Sequence, residues 1–269
     1  MGEIPAGLLQ RRQSQELAEI LGLAKCARLT TTAVVGVVAY AMESNAGAAL
    51  ALSLVLAGAF ALNDVIDREA DAINVPTRPI PSGVLSVRTV LEFAIVCDIG
   101  AIAAAMSTRS ARVQLLTLVL LVLGFAYSLA LQRMFLVKNL VMAFVGACVP
   151  IMGSGSIEAR TLAAAIAIFI LQKEIAADVV DRQGDEQMGL RTLPIVLGVR
   201  PTLFIVAALN VAFIVTVVVL GLPLGMTGVG LVNIVASTLA AFRDERAIHA
   251  LLTLQKGFLV AGVLLAWQV

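Results

Sequence analysis

Nine of the eighteen acidic residues fall in two short stretches. The first runs Asn63-Asp64-Val65-Ile66-Asp67-Arg68-Glu69-Ala70-Asp71. The second runs from Glu174 through Asp178, Asp181 and Asp185 to Glu186. In each, three aspartates recur at i, i+3 and i+7, which puts them on one stripe about 60° wide if the segment is helical. Like charges so close repel. A hard divalent cation would remove that penalty, and Mg2+ commonly binds through a few carboxylates together with substrate phosphates. Two such triads facing each other would grip a diphosphate through Mg2+. One triad alone could be a solvated acidic helix end; its repetition with the same spacing argues against that. Neither stretch fits a twelve-residue calcium loop of the EF-hand kind.

Basic residues surround the acids. Thr77-Arg78-Pro79-Ile80-Pro81-Ser82-Gly83 follows the first triad, and its two prolines and glycine exclude a continuing helix. It is expected to be a shaped loop that aims Arg78. Arg191-Thr192-Leu193-Pro194 holds the equivalent place after the second triad. Arginine suits bidentate phosphate contacts, and Lys138 would add a point charge near a leaving diphosphate.

The elements that must position these groups are apolar. The chain has 269 residues, 60% hydrophobic and only 14% charged, with a mean hydropathy of +0.98. An ordinary soluble domain is about 25% charged. A disordered chain is excluded, and an all-α polytopic membrane bundle is expected. Helices of about 20 apolar residues cross a bilayer. Nine spans are expected, near 26–43, 47–63, 87–106, 112–131, 138–154, 160–177, 201–221, 225–241 and 246–268. They form one domain over 1–269, with 1–25 as a cytoplasmic N-terminal segment. Met1–Gln15 lacks the apolar centre of a signal peptide. With the N-terminus cytoplasmic, fifteen of the nineteen basic residues lie on inner segments and only Arg109, Arg112 and Arg160 on outer ones. The positive-inside rule therefore sets the orientation, and both acidic stretches face the cytoplasm. A net charge of +1 gives no footprint for nucleic acid. Cys26, Cys97 and Cys148 match no metal or disulfide spacing. Runs of small residues such as 100–105 and 163–167 suit close helix packing in lipid.

The N-D-x-x-D-x-x-x-D pattern at Asn63–Asp71 and the D-x-x-D-x-x-x-D pattern at Asp178–Asp185 resemble the UbiA superfamily of intramembrane prenyltransferases. Within it, the run Asn74–Gly83 and the run Asp181–Pro194 are most similar to archaeal digeranylgeranylglyceryl phosphate synthases, with one extra residue before Gly184. The resemblance implies Mg2+-dependent transfer of a geranylgeranyl group from its diphosphate to geranylgeranylglyceryl phosphate, making the second ether bond of archaeal lipids at the cell membrane. It implies that Asp64, Asp67, Asp71, Asp178, Asp181 and Asp185 hold Mg2+ and diphosphate. Arg78, Lys138 and Arg191 would hold phosphate. Asn63 would ligate the metal or orient a ligand, and Tyr127 and Asn139 would lie near the reacting carbon. Arg28 would bind the acceptor's phosphate.

Other readings stay open. A transferase of the same superfamily could use an aromatic acceptor, a hydroxybenzoate or a quinone precursor. A carrier of isoprenoid phosphates would need alternating access and broken mid-membrane helices, whereas the polar groups here cluster at one membrane face. An allylic cation needs a water-poor cavity, which a lipid-embedded bundle supplies. His249, the single histidine, lies in the last span, so the group that takes the acceptor's proton is not chosen by the sequence. Asp98 and Lys256 lie at similar depth in their spans and are expected to pair.

Overall fold

The computed structural model describes residues 6–43, 45–222 and 225–242, with side chains described for 13–40, 45–222 and 226–239. Among these residues there are eleven α-helices, one 3-10 turn at Leu131–Arg133, and no strand. The long helices are α1 (Ala6–Cys26), α2 (Leu29–Glu43), α3 (Ala46–Ile66), α5 (Val87–Ser107), α6 (Ala111–Leu129), α7 (Val137–Gly153), α8 (Ile157–Gln187), α10 (Val199–Val219) and α11 (Gly225–Phe242). Two short helices, α4 (Arg68–Asn74) and α9 (Leu193–Val196), sit beside the acidic stretches.

Polar residues between the apolar runs start the helices. The side chains of Asn45, Ser86, Ser110 and Ser156 accept hydrogen bonds from the first turns of α3, α5, α6 and α8. Each takes up a backbone donor that the helix itself cannot satisfy.

Helix α3 is the centre of one half of the bundle and packs against α2, α5 and α6. Its Leu52, Val55 and Leu56 interlock with Ala101 and Ala105 of α5, Leu120 of α6 and Met152 of α7. In the other half α8 packs against α7 and α10, and α10 against α11. There Phe169 and Phe213 meet with ring centroids 5.6 Å apart. Small residues permit the close approaches: a Cβ on Gly146 of α7 would press on the Ile170 side chain of α8. The outside is apolar as well, with Ile95, Ile99, Leu118, Val122, Val215 and Val218 exposed. Such a surface is a liability in water and natural in lipid. Four helices are long and apolar enough to cross a membrane, and the bent α1–α2 pair would make a fifth. The fold is thus an all-helical, multi-pass membrane bundle.

Eight of the nine expected spans coincide with helices. The ninth, near 246–268, lies outside the described residues, as do Lys256 and His249. Three boundaries differ for physical reasons. The polar segment 1–25 was expected only as a cytoplasmic lead, yet residues from Ala6 onward are helical. The span expected at 26–43 begins after a 54° bend. At that bend Arg28 takes a left-handed backbone (φ 46°), uncommon for a side chain with a Cβ. Finally, α8 is 31 residues long and carries the second acidic stretch beyond its apolar part as one continuous helix. The first stretch is not continuous: Asp67 ends α3 and precedes α4. Asp98 lies on α5 directly opposite Gly58 of α3, where any Cβ would meet its carboxylate.

Candidate active site

The two acidic stretches converge at one end of the bundle, where α4 packs against α8. Two aspartates of each triad close around a basic side chain supplied by another element. Arg78 comes from the proline-containing turn after α4. Its Nη1 donates to Asp71 Oδ2 at 2.6 Å and to Asp64 Oδ1 at 3.0 Å. Lys138 comes from the first turn of α7. Its Nζ lies 2.7 Å from Asp178 Oδ1 and 3.6 Å from Asp185 Oδ2. Leu136, two residues earlier, is left-handed (φ 60°). Strained backbone of this kind persists where the surrounding structure dictates it, and here it sets the start of α7 and the direction of Lys138.

Amide side chains complete the set. Asn63 Nδ2 donates to Asp67 Oδ2 at 2.6 Å, and Gln132 Nε2 donates to Asp67 Oδ1 at 3.0 Å. Asn139 Nδ2 donates to Asp178 Oδ2 at 3.1 Å. Arg28 lies over the Phe60 ring, 4.4 Å from its centroid, with Nη2 3.7 Å from Asp64 Oδ1. The cation–π contact and the bend at Arg28 together turn this side chain inward from the first span.

These groups surround a cavity of about 730 Å³. Asp67, Asp71, Asp178, Asp181 and Asp185 line it, with Asn63, Arg28, Arg78, Tyr127, Lys138 and Asn139. Its apolar part is formed by Val55, Leu56, Leu120, Leu123, Val141 and Val145. A second, wholly apolar groove of about 590 Å³ lies between α6 and α7 and shares Leu123 and Val141 with the cavity. Two expected residues are not on the wall. Asp64 is buried behind Arg78, and Arg191 is exposed outside the cavity. The turn holding Arg191 leads into α9, whose Pro194 and Leu193 are buried, so the arginine preceding them faces away.

Electrostatics follow from burial. Desolvation pushes the Asp71 carboxyl up to about 6, although Arg78 opposes the shift. Desolvation, then the neighbouring Asp185, pushes Asp181 up to about 6. Asp67 and Asp185 are raised by burial too. Burial works against the charge on Arg78, but Asp71 and Asp64 more than offset it, and its pKa lies above the usual value. Carboxylates held this way need positive charge nearby.

The donor set suits a hard cation. Every candidate ligand is an oxygen; buried Asn63 Oδ1 has no hydrogen-bond donor among the described residues, and Asp185 Oδ2 has only Lys138 Nζ at 3.6 Å, beyond hydrogen-bond reach. Among the described residues no three carboxylates converge at ligand distance. Mutual repulsion spreads each set around its arginine or lysine.

Sequence reasoning missed several contributors. Gln132 holds Asp67 from the turn after α6. Asn74 Oδ1 accepts from the Gly184 backbone nitrogen at 3.1 Å and ties the first stretch to the second. Lys173 and Glu174 line the cavity as a pair, 2.6 Å apart. Asn74 and Glu174 stood inside the quoted patterns, where spacing gave them no partner. Nothing in the sequence marks Gln132.

Fold and site together define a membrane helical bundle with a cavity at one end that is acidic at its rim and apolar below. The chain belongs to the UbiA prenyltransferase family, whose profile matches residues 29–267. It is 36% identical over 184 residues to the digeranylgeranylglyceryl phosphate synthase of Methanopyrus kandleri, covering 64% of this chain and 66% of that one. It is 32% identical over 193 residues to the synthase of the same name from Sulfolobus acidocaldarius, covering 70% and 69%. These alignments span about two thirds of the relatives' length. Among solved structures, the fold is similar to a UbiA homologue from Archaeoglobus fulgidus bound to DMAPP and Mg2+, with a TM-score of 0.65, 15% identity and coverage of 92% and 99%. An apo UbiA homologue from Aeropyrum pernix gives 0.68 at 19% identity, covering 88% and 96%.

Proposed function

We propose that this protein transfers a geranylgeranyl group from its diphosphate to geranylgeranylglyceryl phosphate, forming the second ether bond of archaeal membrane lipids with the help of Mg2+. The observation that carries the reading is the convergence of the two acidic stretches on one cavity, with five aspartates on its wall, a cation from another element bridging two members of each triad, and an apolar wall below. The similarity to relatives named as synthases of this product supports the acceptor. The Mg2+ and prenyl diphosphate of the A. fulgidus homologue support the donor and the metal.

In this reading Asp67, Asp71, Asp178, Asp181 and Asp185 would hold Mg2+, and the ion would supply positive charge against the leaving diphosphate. Asn63 orients Asp67, and Asp64 steadies Arg78. Arg78 and Lys138 donate to phosphate oxygens, exchanging carboxylate partners for the substrate. Arg28, held over Phe60, binds the acceptor's phosphate. Tyr127 and Asn139 flank the reacting carbon. The aliphatic wall from α3, α6 and α7 excludes water, which would otherwise capture an allylic cation. The groove between α6 and α7 gives a long isoprenoid chain a way toward lipid.

The chain is read as crossing the cell membrane nine times with a cytoplasmic N-terminus. The excess of arginine and lysine on one set of connecting segments supports this, and it puts the cavity at the cytoplasmic face. The test is radiolabelled geranylgeranyl transfer by purified protein with Mg2+, to geranylgeranylglyceryl phosphate and to 4-hydroxybenzoate in parallel. Ether-lipid product abolished by EDTA is expected. Product from the aromatic acceptor alone would overturn the proposed acceptor.

A further inference from the structure

An ether-forming transfer releases a proton from the acceptor hydroxyl. The aspartates are poorly placed to take it. Asp64 and Asp71 are engaged by Arg78, Asp178 and Asp185 by Lys138, and Asp67 by two amide donors; Asp181 has no such partner among the described residues but stands between Asp178 and Asp185 on α8, at the diphosphate end of the wall. In the proposed reaction the five on the cavity wall face the leaving diphosphate, and Asp64 lies behind Arg78.

One carboxylate on the cavity wall is different. Glu174 precedes Asp178 by four residues on α8, so it projects from the same face about 6 Å nearer the membrane interior. Glu69, the other glutamate on the wall, is on α4 at the opposite, outer side beside Arg68. Glu174 Oε1 accepts from Lys173 Nζ at 2.6 Å, and its other oxygen has no donor among the described residues. Glu174 lines the cavity together with Tyr127 of α6 and with Leu123 and Leu120 one and two turns deeper on that helix. It therefore sits where the diphosphate site gives way to the apolar part of the cavity.

We infer that Glu174 is the base for the acceptor hydroxyl, an assignment that rests on the transferase reading above. The acceptor oxygen bonds to the allylic carbon as that carbon's bond to the diphosphate oxygen breaks, and the breaking bond's electron pair leaves with the diphosphate. The hydroxyl proton passes to the open oxygen of Glu174 as the new bond forms. The proton grows more acidic as the new C–O bond forms, so even a carboxylate paired with lysine can take it within that step. Lys173, whose Nζ holds Glu174 Oε1 at 2.6 Å, is a positioning residue.

The experiment uses the full-length protein in detergent with geranylgeranyl diphosphate, geranylgeranylglyceryl phosphate and Mg2+. It follows ether product, donor binding and diphosphate release. Glu174→Gln is expected to lower ether product by about 100-fold or more, the usual scale for a lost general base. Donor binding should stay within a few-fold, and diphosphate should still be released by slow solvolysis. Glu174→Asp should recover part of the transfer. Because Glu174→Gln strands Lys173, Lys173→Leu/Glu174→Gln is measured beside it and should show the same split between transfer and donor binding. Transfer within about 3-fold of wild type in either Gln variant overturns the assignment. So does loss of donor binding in step with transfer in both. Wild-type transfer in the same series tests the underlying reading: no ether product from wild type overturns both, whereas product from wild type and variants alike overturns Glu174 alone.

Discussion

Asn74 and Gly184 are 110 residues apart and joined at 3.1 Å, side-chain oxygen to backbone nitrogen. Asn74 ends the short helix after the first acidic stretch, and Gly184 lies one residue before Asp185 in the second. The bond pins α4 onto α8 and sets the distance between the two triads. It also explains the glycine, since a Cβ on residue 184 would collide with the Asn74 amide.

Gly184→Ala should separate the triads while leaving the bundle intact. One lost hydrogen bond costs about 1 kcal/mol, so the melting temperature should fall only modestly. Transfer should drop by about 10-fold or more, because a diphosphate clamp tolerates little misplacement. A variant melting as wild type with full transfer would show that the triads do not need this tie. Melting curves and initial rates on one preparation decide it.

Lys138 serves both stability and chemistry. Removing one partner of a buried ion pair costs about 3–5 kcal/mol, and here Lys138→Ala would strand Asp178, whose side chain is 7% exposed. A lower melting temperature and at least 100-fold less transfer are expected. Lys138→Ala/Asp178→Asn should regain stability without regaining activity. Recovery of both would reduce the lysine to a structural role.

Much of this arrangement was legible in the residues. The apolar runs marked the helices because a membrane core demands backbone bonds satisfied within each segment. The aspartate periodicity marked the site: the second triad does share one face of α8, whereas the first is divided between α3 and α4 and is drawn together by Arg78. The bend at Arg28 was not legible: the apolar run reads straight through it, and only the left-handed residue over Phe60 breaks the helix. Nor was the bridging of two aspartates in each triad by one cation, since Arg78 reaches Asp64 across fourteen residues and Lys138 reaches Asp178 across forty, distances that sequence pattern does not measure. Arg191 shows the reverse case, a basic residue at an equivalent position in sequence that the fold turns outward.

Arg78 and Arg191 therefore separate sequence position from geometry. Arg78→Ala removes the cation between Asp64 and Asp71 and is expected to lower transfer by about 100-fold or more. Arg191→Ala should lower it far less, by a few-fold at most. Equal losses would mean that Arg191 swings onto the bound diphosphate. Donor binding measured for both variants, with and without Mg2+, distinguishes the two outcomes.

Proton competition gives the last test. Burial raises Asp71 and Asp181 to about 6, above the usual aspartate value of about 3.9. An acid with a raised folded pKa holds more protons in the folded chain than in the unfolded one between those two values. Its favourable contribution is complete below about pH 4 and is lost as pH rises through about 6. Without divalent metal the protein should thus melt at a lower temperature near pH 7.5 than near pH 5. Mg2+ competes with those same protons, so the stabilisation it gives should be small at pH 5 and grow through pH 6. Asp181→Asn should flatten the fall in EDTA and shrink the Mg2+ shift together. Equal Mg2+ stabilisation at both pH values would place the metal away from these carboxylates, and thermal melts across the range, with EDTA and with Mg2+, measure it directly.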